Sequence, residues 1–469
     1  MKNTTPHKGL PSGTLARKTL VIGLDGATFA AFDAAGVPRL DGLMGSGMTA
    51  VSNLFASPMA PTLSAPAWSS IATGVWPDKH RVLENSFAGA EFDRYPDFLS
   101  RLKQAIPGAS TAVVGTWAPI PGTLFCNAAD VRLAGRDDAE TVLRAADYLT
   151  NGNPDGMFVH LDEVDEAGHS SGTASGAYLT ALRRADERVG QLLDAVRRRP
   201  EYAVEEWLIM VVADHGHTAA GGHGGHSAEE RQVFVIVNGP GIEPGSVRHD
   251  VKLTDIAPSV LRHAGIAVDT GWDLDGRCIQ DLMPDAFDGV RGELIARAGS
   301  PAAAFDGVSV PHGWSVDNSA MPEGGVTGWR GWTFTTDDLW TGTGRGQGRE
   351  TSVRHRNVFA VADSANWGGA GAFHSTLISP DFQITEGSTA ALSFAGNFRA
   401  GGSQAGDVLV SFDGAAPQLV RSYRSDSNGF ERIKLDVPAG ATQAAVHFRY
   451  TGTGGAFWTV DQVLIQPSE

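Results

Sequence analysis

Up to about residue 290 the chain alternates short apolar runs with longer amphipathic stretches. Residues 19–24 read TLVIGL, an uninterrupted apolar run of the kind that forms a strand buried on both faces of a parallel sheet. Similar runs occupy 111–115, 156–161, 208–213 and 232–237, and 50–55 is also strand-like. Between them, 95–105, 139–148 and 178–198 are helix-like. In the last of these, Leu179, Leu182, Ala185, Val189, Leu192, Leu193 and Val196 lie close to helical spacing, with Arg and Asp between them. Strands alternating with helices of this length predict an α/β domain over 19–298, a mainly parallel sheet with helices on both faces. Residues 1–18 are polar, carry Pro and Gly, and are expected to be a disordered N-terminal segment.

Beyond residue 300 the pattern changes period. Stretches at 331–336, 358–362, 390–395, 407–412, 431–437 and 443–450 are alternating or β-branched, and Gly, Asp, Asn and Ser clusters separate them. This predicts an all-β sandwich, jelly-roll-like, over 305–469. Small residues and Pro301 mark 296–304 as the linker. A length of 469 residues agrees with two domains, and 42% hydrophobic with 19% charged residues is ordinary globular composition.

Charge narrows the function. The net formal charge of −16 is spread along the chain and argues against stable nucleic-acid binding, which needs a basic footprint. A small anionic substrate stays open, because bound metal ions reverse the local field. Cys126 and Cys278 are the only cysteines, so a disulfide framework is excluded, while a single bridge or two free thiols both remain open. No stretch reaches the roughly 18 apolar residues of a membrane span, and residues 1–18 lack the apolar core of a signal peptide.

Ligands of open α/β sheets gather at the carboxyl ends of the strands. Asp25 follows the first strand, Asp165 and His169 follow the one ending near Leu161, and Asp214 and His215 follow 208–213. The Gly-rich segment from Gly221 to His226 adds His223 and His226 with almost no bulk around them. Carboxylates with imidazoles suit Zn²⁺, with Mn²⁺ or Fe as alternatives, and the three carboxylates with His169, His215 and His223 exceed one tetrahedral site but would serve two neighbouring ions. Ser64, in PTLSAPAW (61–68) ahead of a helix-like 68–73, is either an ordinary helix cap or a metal-activated nucleophile.

Four segments together carry a resemblance: VIGLDG (21–26), PTLSAPAWSSIATGVWPDKH (61–80), VDEAGH (164–169), and ADHGHT (213–218) with GGHGG (221–225). From about 18 to 290 the chain resembles the alkaline phosphatase superfamily, in its type I phosphodiesterase/nucleotide pyrophosphatase branch. The resemblance implies an alkaline-phosphatase-like fold and two divalent ions. It puts Asp25, Asp214 and His215 on one ion, and Asp165, His169 and His223 on the other. Ser64 falls on the nucleophile position and is implied as a ligand of the first ion as well, where many members of the branch carry Thr. Asn85 falls where diesterases place an amide donor to a phosphoryl oxygen, which tilts the expectation toward diesters. Arg81 replaces a Gly of the family pattern and is open to a phosphate or a surface role. His226 and Trp68 are further candidates for contact with substrate or ligands, and Trp76, Phe87 and Trp117 are candidate aromatic walls. The sulfatase signature C/S-x-P-x-R lacks its Arg here, so sulfatase chemistry is not expected.

The implied reaction is hydrolysis of a small phosphate ester through a phosphoserine, most directly a nucleotide or other diester. A phosphomonoesterase or phosphonate hydrolase of the same superfamily is the alternative, and a surface- or carbohydrate-binding protein with a vestigial core is the alternative of another class. In the tail, Trp329, Trp332, Trp340, Trp367, Phe373, Phe457 and Trp458 would either pack the core or stack on a glycan. Asp337, Asp338, Asp363 and Asp461 are candidate ligands of a structural Ca²⁺. Such tails resemble modules of extracellular bacterial enzymes, so secretion is the expected localisation, with the cytoplasm left open as the alternative.

Overall fold

In the computed structural model, which describes residues 13–55, 59–297, 307–344, 348–386 and 389–467, the chain divides into two units, Met1–Leu282 and Met283–Glu469. The first is built on eight strands: β1 (Arg17–Leu24), β2 (Met48–Asn53), β3 (Thr111–Gly115), β4 (Val131–Ala134), β5 (Gly156–Leu161), β6 (Glu206–Val212), β7 (Gln232–Asn238) and β8 (Ser246–Arg248). Their order is β4-β3-β5-β1-β6-β7-β2-β8. The five from β4 to β6 run parallel, and β7 is antiparallel to both β6 and β2. The expected mainly parallel sheet is therefore present, with one reversed strand near an edge. The expected disordered segment is described only from Gly13, whose amide donates to the Asn153 carbonyl at 2.8 Å. Its part at 1–12 lies outside the described residues, as does 298–304 of the expected linker 296–304, whose first two residues end the helix Arg291–Arg297.

Alternation along β1 sets the two faces. Leu20, Ile22 and Leu24 join a core that includes residues of the helices Asp138–Asn151 and Gly176–Arg197. On the other face Gly23 has no side chain, and a Cβ there would collide with the fully buried Trp68 ring. That gap lets the helix Ser64–Thr73 lie close to the centre of the sheet. Pro66 sits in its first turn, where a missing amide costs no helical hydrogen bond. The expectation of helix at 68–73 thus falls four residues short, because the helix begins at Ser64 itself.

The second unit has eleven strands: β9 (Ser315–Asp317), β10 (Trp332–Thr336), β11 (Val358–Asp363), β12 (Phe373–Ile378), β13 (Phe382–Gln383), β14 (Thr389–Arg399), β15 (Ala405–Phe412), β16 (Gln418–Tyr423), β17 (Ser427–Asp436), β18 (Gln443–Gly452) and β19 (Phe457–Pro467). They form two antiparallel sheets, β10-β11-β19-β14-β17 and β16-β15-β18-β12-β9, with β13 paired to β18. Both sheets feed one core, where Phe394 meets Phe448 at 5.1 Å and Trp332 meets Trp458 at 5.5 Å between ring centroids. Phe287, Val290 and Leu294 belong to this core.

The tail aromatics resolve in favour of packing. All seven, from Trp329 to Trp458, are buried, so none is placed to stack on a glycan. Of the four carboxylates offered to Ca²⁺, Asp363 accepts from Trp340 Nε1 at 2.9 Å and pairs with buried Arg349 at 3.0 Å. Asp461 instead accepts the Arg356 and Gln462 amides at 2.6 and 2.8 Å. Cys126 and Cys278 are both free thiols. No helix among the described residues is long and apolar enough to cross a membrane.

Candidate metal centre

The carboxyl ends of β1, β5 and β6 deliver the expected residues to one rim. Asp25 leaves β1, and Asp214 and His215 follow β6 directly. Asp165 and His169 lie one turn apart on the helix Glu163–Ser171, which begins just after β5. Four groups have donor atoms within 4.8 Å of one another: the two expected clusters, Asp25, Asp214 and His215, and Asp165, His169 and His223, and two that overlap them, Asp165, His215 and His217, and Asp25, His160 and Asp162.

In the first cluster all three side chains are buried. Asp25 Oδ2 accepts from Trp68 Nε1 at 3.0 Å and from His160 Nε2 at 2.9 Å, while Asp214 Oδ1 accepts the Gly26 amide at 3.1 Å. The remaining oxygens, Asp25 Oδ1 and Asp214 Oδ2, are buried without any hydrogen-bond partner. They stand 3.5 and 3.3 Å from His215 Nε2. Buried carboxylate oxygens without partners are costly, and their convergence on an imidazole nitrogen suits a cation.

Tautomers point the same way. His215 Nδ1 donates to the Gly216 carbonyl at 3.1 Å, and His223 Nδ1 donates to the Thr62 carbonyl at 2.8 Å. A carbonyl can only accept, so each neutral ring turns an electron pair inward from Nε2. His223 Nε2 faces His169 Nε2 at 2.9 Å and Asp165 Oδ1 at 3.5 Å, and His169 Nε2 lies 3.4 Å from Asp165 Oδ2. Two ligands bonded to one ion at about 2.0–2.1 Å stand roughly 2.9–3.4 Å apart at angles near 90–109°. The spacings of both clusters match that geometry. The residues present therefore fit two divalent cations of the zinc type.

Burial also favours the ligand forms of the rings. It pushes the His215 pKa down to about 4, aided by neighbouring His223, and lowers that of His223 too. Burial and the charge of Asp25 raise Asp214 well above the usual carboxylate range, a conflict that a cation between them would remove. Burial alone would raise Asp25 as well, but the His160 hydrogen bond, His215 and Trp68 outweigh it and hold that carboxylate well below its ordinary value.

Ser64 is the first residue of its helix, with Leu63 in the cap position, and makes no capping hydrogen bond. Its hydroxyl instead donates to His215 Nε2 at 3.2 Å. The exposed Asn85 accepts the Ala65 amide through Oδ1 at 3.0 Å, which leaves its amide nitrogen as a donor beside the nucleophile. Buried His80 braces the turn between them: Nε2 meets Ser70 Oγ at 3.0 Å and Nδ1 accepts the Val82 amide at 3.1 Å. Arg81 is exposed and has φ 63°, in the left-handed region where the family pattern has Gly. His226 is exposed and belongs to neither cluster.

Trp68 and Trp76 are buried and offer no wall to a ligand, and Trp68 serves Asp25 instead. Phe87 and half-buried Trp117 face each other at 5.9 Å. Two histidines at the centre were absent from the expected set. His160 is the one strongly polar residue in the apolar run of β5, a signal that could have marked it. His217 follows His215 by two positions and is fully buried, with Nε2 2.9 Å from Asp165 Oδ1.

The fold and the rim define an α/β protein with two neighbouring clusters of carboxylates and imidazoles beside a serine. A family model, type I phosphodiesterase / nucleotide pyrophosphatase, matches residues 19–124 and 107–355, and the chain belongs to that family. It is 25% identical over 182 residues to ectonucleotide pyrophosphatase/phosphodiesterase family member 3 of Mus musculus, a match covering 34% of this chain and 20% of that relative. It is 32% identical over 144 residues to a phosphopentomutase of Methylobacterium sp. (strain 4-46), covering 30% of this chain and 32% of the other. The chain thus spans between a fifth and a third of these relatives' lengths. Among solved structures it is similar to murine ectonucleotide pyrophosphatase / phosphodiesterase 5, at 13% identity and a TM-score of 0.44, covering 57% of this chain and all of that one.

Proposed function

We propose that this chain hydrolyses phosphate diesters at a two-ion centre, with Ser64 as the nucleophile. The observation that carries the reading is the Ser64 hydroxyl at 3.2 Å from His215 Nε2, in the cluster where two buried carboxylate oxygens lack partners. Asp25, Asp214 and His215 would hold one ion, and Asp165, His169 and His223 the other. Zn²⁺ suits this mixture of carboxylate and imidazole best. When bound, the ions would lower the pKa of the Ser64 hydroxyl and neutralise the phosphoryl oxygens.

The chain's own residues then do the rest. Ser64 Oγ forms a bond to phosphorus as the ester P–O bond breaks, and the leaving oxygen departs opposite the serine. Water later breaks the Oγ–P bond and restores the hydroxyl. The Ala65 amide fixes the Asn85 side chain so that its neutral NH₂ can donate to a phosphoryl oxygen. A neutral donor does not demand a second negative charge, which favours diesters over monoesters. Phe87 and Trp117 are the aromatic candidates for contact with a flat leaving group. The names of the ectonucleotide relatives support an extracellular site of action.

The test is kcat/KM for an aryl phosphodiester, a monoester and a phosphonate monoester, on zinc-loaded wild type and Ser64→Ala. Preference for the diester, abolished by Ser64→Ala, is the expected result. Preference for the monoester would move the chain to the phosphatase alternative and put Arg81 under test. Turnover of none of the three by zinc-loaded wild type would reopen a binding-only role.

A further inference from the structure

We propose that Thr62 is a positioning residue for the second ion, acting through His223; the inference rests on the two-ion reading above. His223 lies in a segment, Gly221 to His226, that holds four glycines and no aliphatic side chain. Glycine has the widest backbone freedom, so such a segment cannot fix an imidazole by itself. Thr62 is fully buried and supplies what the segment lacks. Its carbonyl accepts from His223 Nδ1 at 2.8 Å, which turns Nε2 toward His169 and Asp165. Its hydroxyl accepts from the Gly224 amide and donates to the Gly225 carbonyl, both at 2.9 Å. One residue thus grips three successive residues of a segment far from it in sequence.

The ends of the segment are anchored elsewhere. Gly221, at φ +93°, lies so close to the helix Glu163–Ser171 that a Cβ on it would run into the Gly168 carbonyl. At the far end the Gly225 and Ser227 amides donate to the two oxygens of Glu230 at 2.7 and 3.1 Å. Thr62 meets the segment between these anchors, where the ligand is. Two residues further along its own chain, Ser64 opens its helix. One buried side chain therefore sets a ligand of the second ion in register with the nucleophile beside the first. Loss of the hydroxyl alone would leave the carbonyl bond to His223 Nδ1 in place and release the two residues that follow the ring.

Thr62→Val nearly keeps the shape of the side chain and removes its hydroxyl, and zinc affinity reads the result without relying on turnover. Titration of the metal-free variant against a chromophoric chelator should show one ion bound about 10- to 100-fold more weakly and the other unchanged. Thr62→Ser, which keeps the hydroxyl, should bind both ions as wild type does. In a His223→Ala background, Thr62→Val should cause no further loss, because its effect travels through that ring. Wild-type affinities in Thr62→Val, equal weakening of both ions, no rescue by Thr62→Ser, or an added loss in the His223→Ala background would each overturn the proposal. Thr62→Ala takes the place of Thr62→Val if circular dichroism shows the latter unfolded. Failure of both to fold would make Thr62 a general structural residue and overturn it as well. Wild type that binds fewer than two zinc ions would instead remove the two-ion reading beneath it.

Discussion

Replacing Trp68 by Phe tests how the first cluster is held in shape. The indole Nε1–H and the His160 Nε2–H both point at Asp25 Oδ2, so Oδ1 alone is left facing His215. His160 is itself oriented from behind, since the Trp117 amide reaches its Nδ1 at 3.5 Å. Phe keeps most of the ring that packs on Gly23, Phe158 and His160 but removes the N–H. A hydrogen bond to a buried charged group is worth about 1.5–3 kcal/mol. Partners that orient a metal ligand contribute about 10- to 100-fold in affinity, or about 1.4–2.8 kcal/mol, so the two figures agree. Titrating the apoprotein with zinc against a chromophoric chelator should show one ion weakened by that factor. The ion held by Asp165, His169 and His223 is the internal control and should bind as before. Two unchanged affinities would refute the idea that Trp68 sets the orientation of Asp25; two equally weakened ones would show general damage to the fold.

Three further outcomes are expected. Ser64→Ala should lower kcat for an aryl diester by at least about 10³-fold while zinc content stays unchanged; near-normal turnover would dismiss Ser64 as nucleophile. Asn85→Ala should cost about 10²–10³-fold in kcat on the diester, as loss of one donor to a developing charge does, and should cost less on a monoester. Burial lowers the pKa of His80 to about 3, so the unfolded chain binds the extra proton first as pH falls. Its contribution to stability is therefore complete above about pH 6.5 and is lost between there and pH 3, by up to about 4 kcal/mol. Urea unfolding across that range should give a shallower pH slope for His80→Gln than for wild type; equal slopes would contradict it.

Much of the first unit is legible in sequence because its strands are buried on both faces and read as apolar runs. The carboxylates and histidines then stand out as polar residues just beyond each run. The reversal of β7 is not legible in this way, since 232–237 is as apolar as the parallel strands and an apolar run carries no direction. Only the lack of a long helix hints at it: the connection from β6 to β7 carries a single four-residue helix, Ala228–Arg231, where a parallel crossover usually carries a longer one. The place of His217 is not legible in sequence, because Gly26 and Gly168, which leave room for its ring, are far from it along the chain and close in space. The tail shows the converse. Asp363 reads as a loop carboxylate open to calcium, yet it is buried against Arg349 and Trp340, and that pairing follows from how the two sheets close on one core.

Central to all of this is the dependence of hydrolysis on a pair of ions, and zinc titration of metal-free protein measures it most directly. Initial rates on an aryl phosphodiester, followed against equivalents of zinc added, should rise to a break at two equivalents. Variants His215→Ala and His169→Ala should each abolish that rise. A plateau at one equivalent, or full turnover in protein stripped of metal, would contradict the two-ion centre.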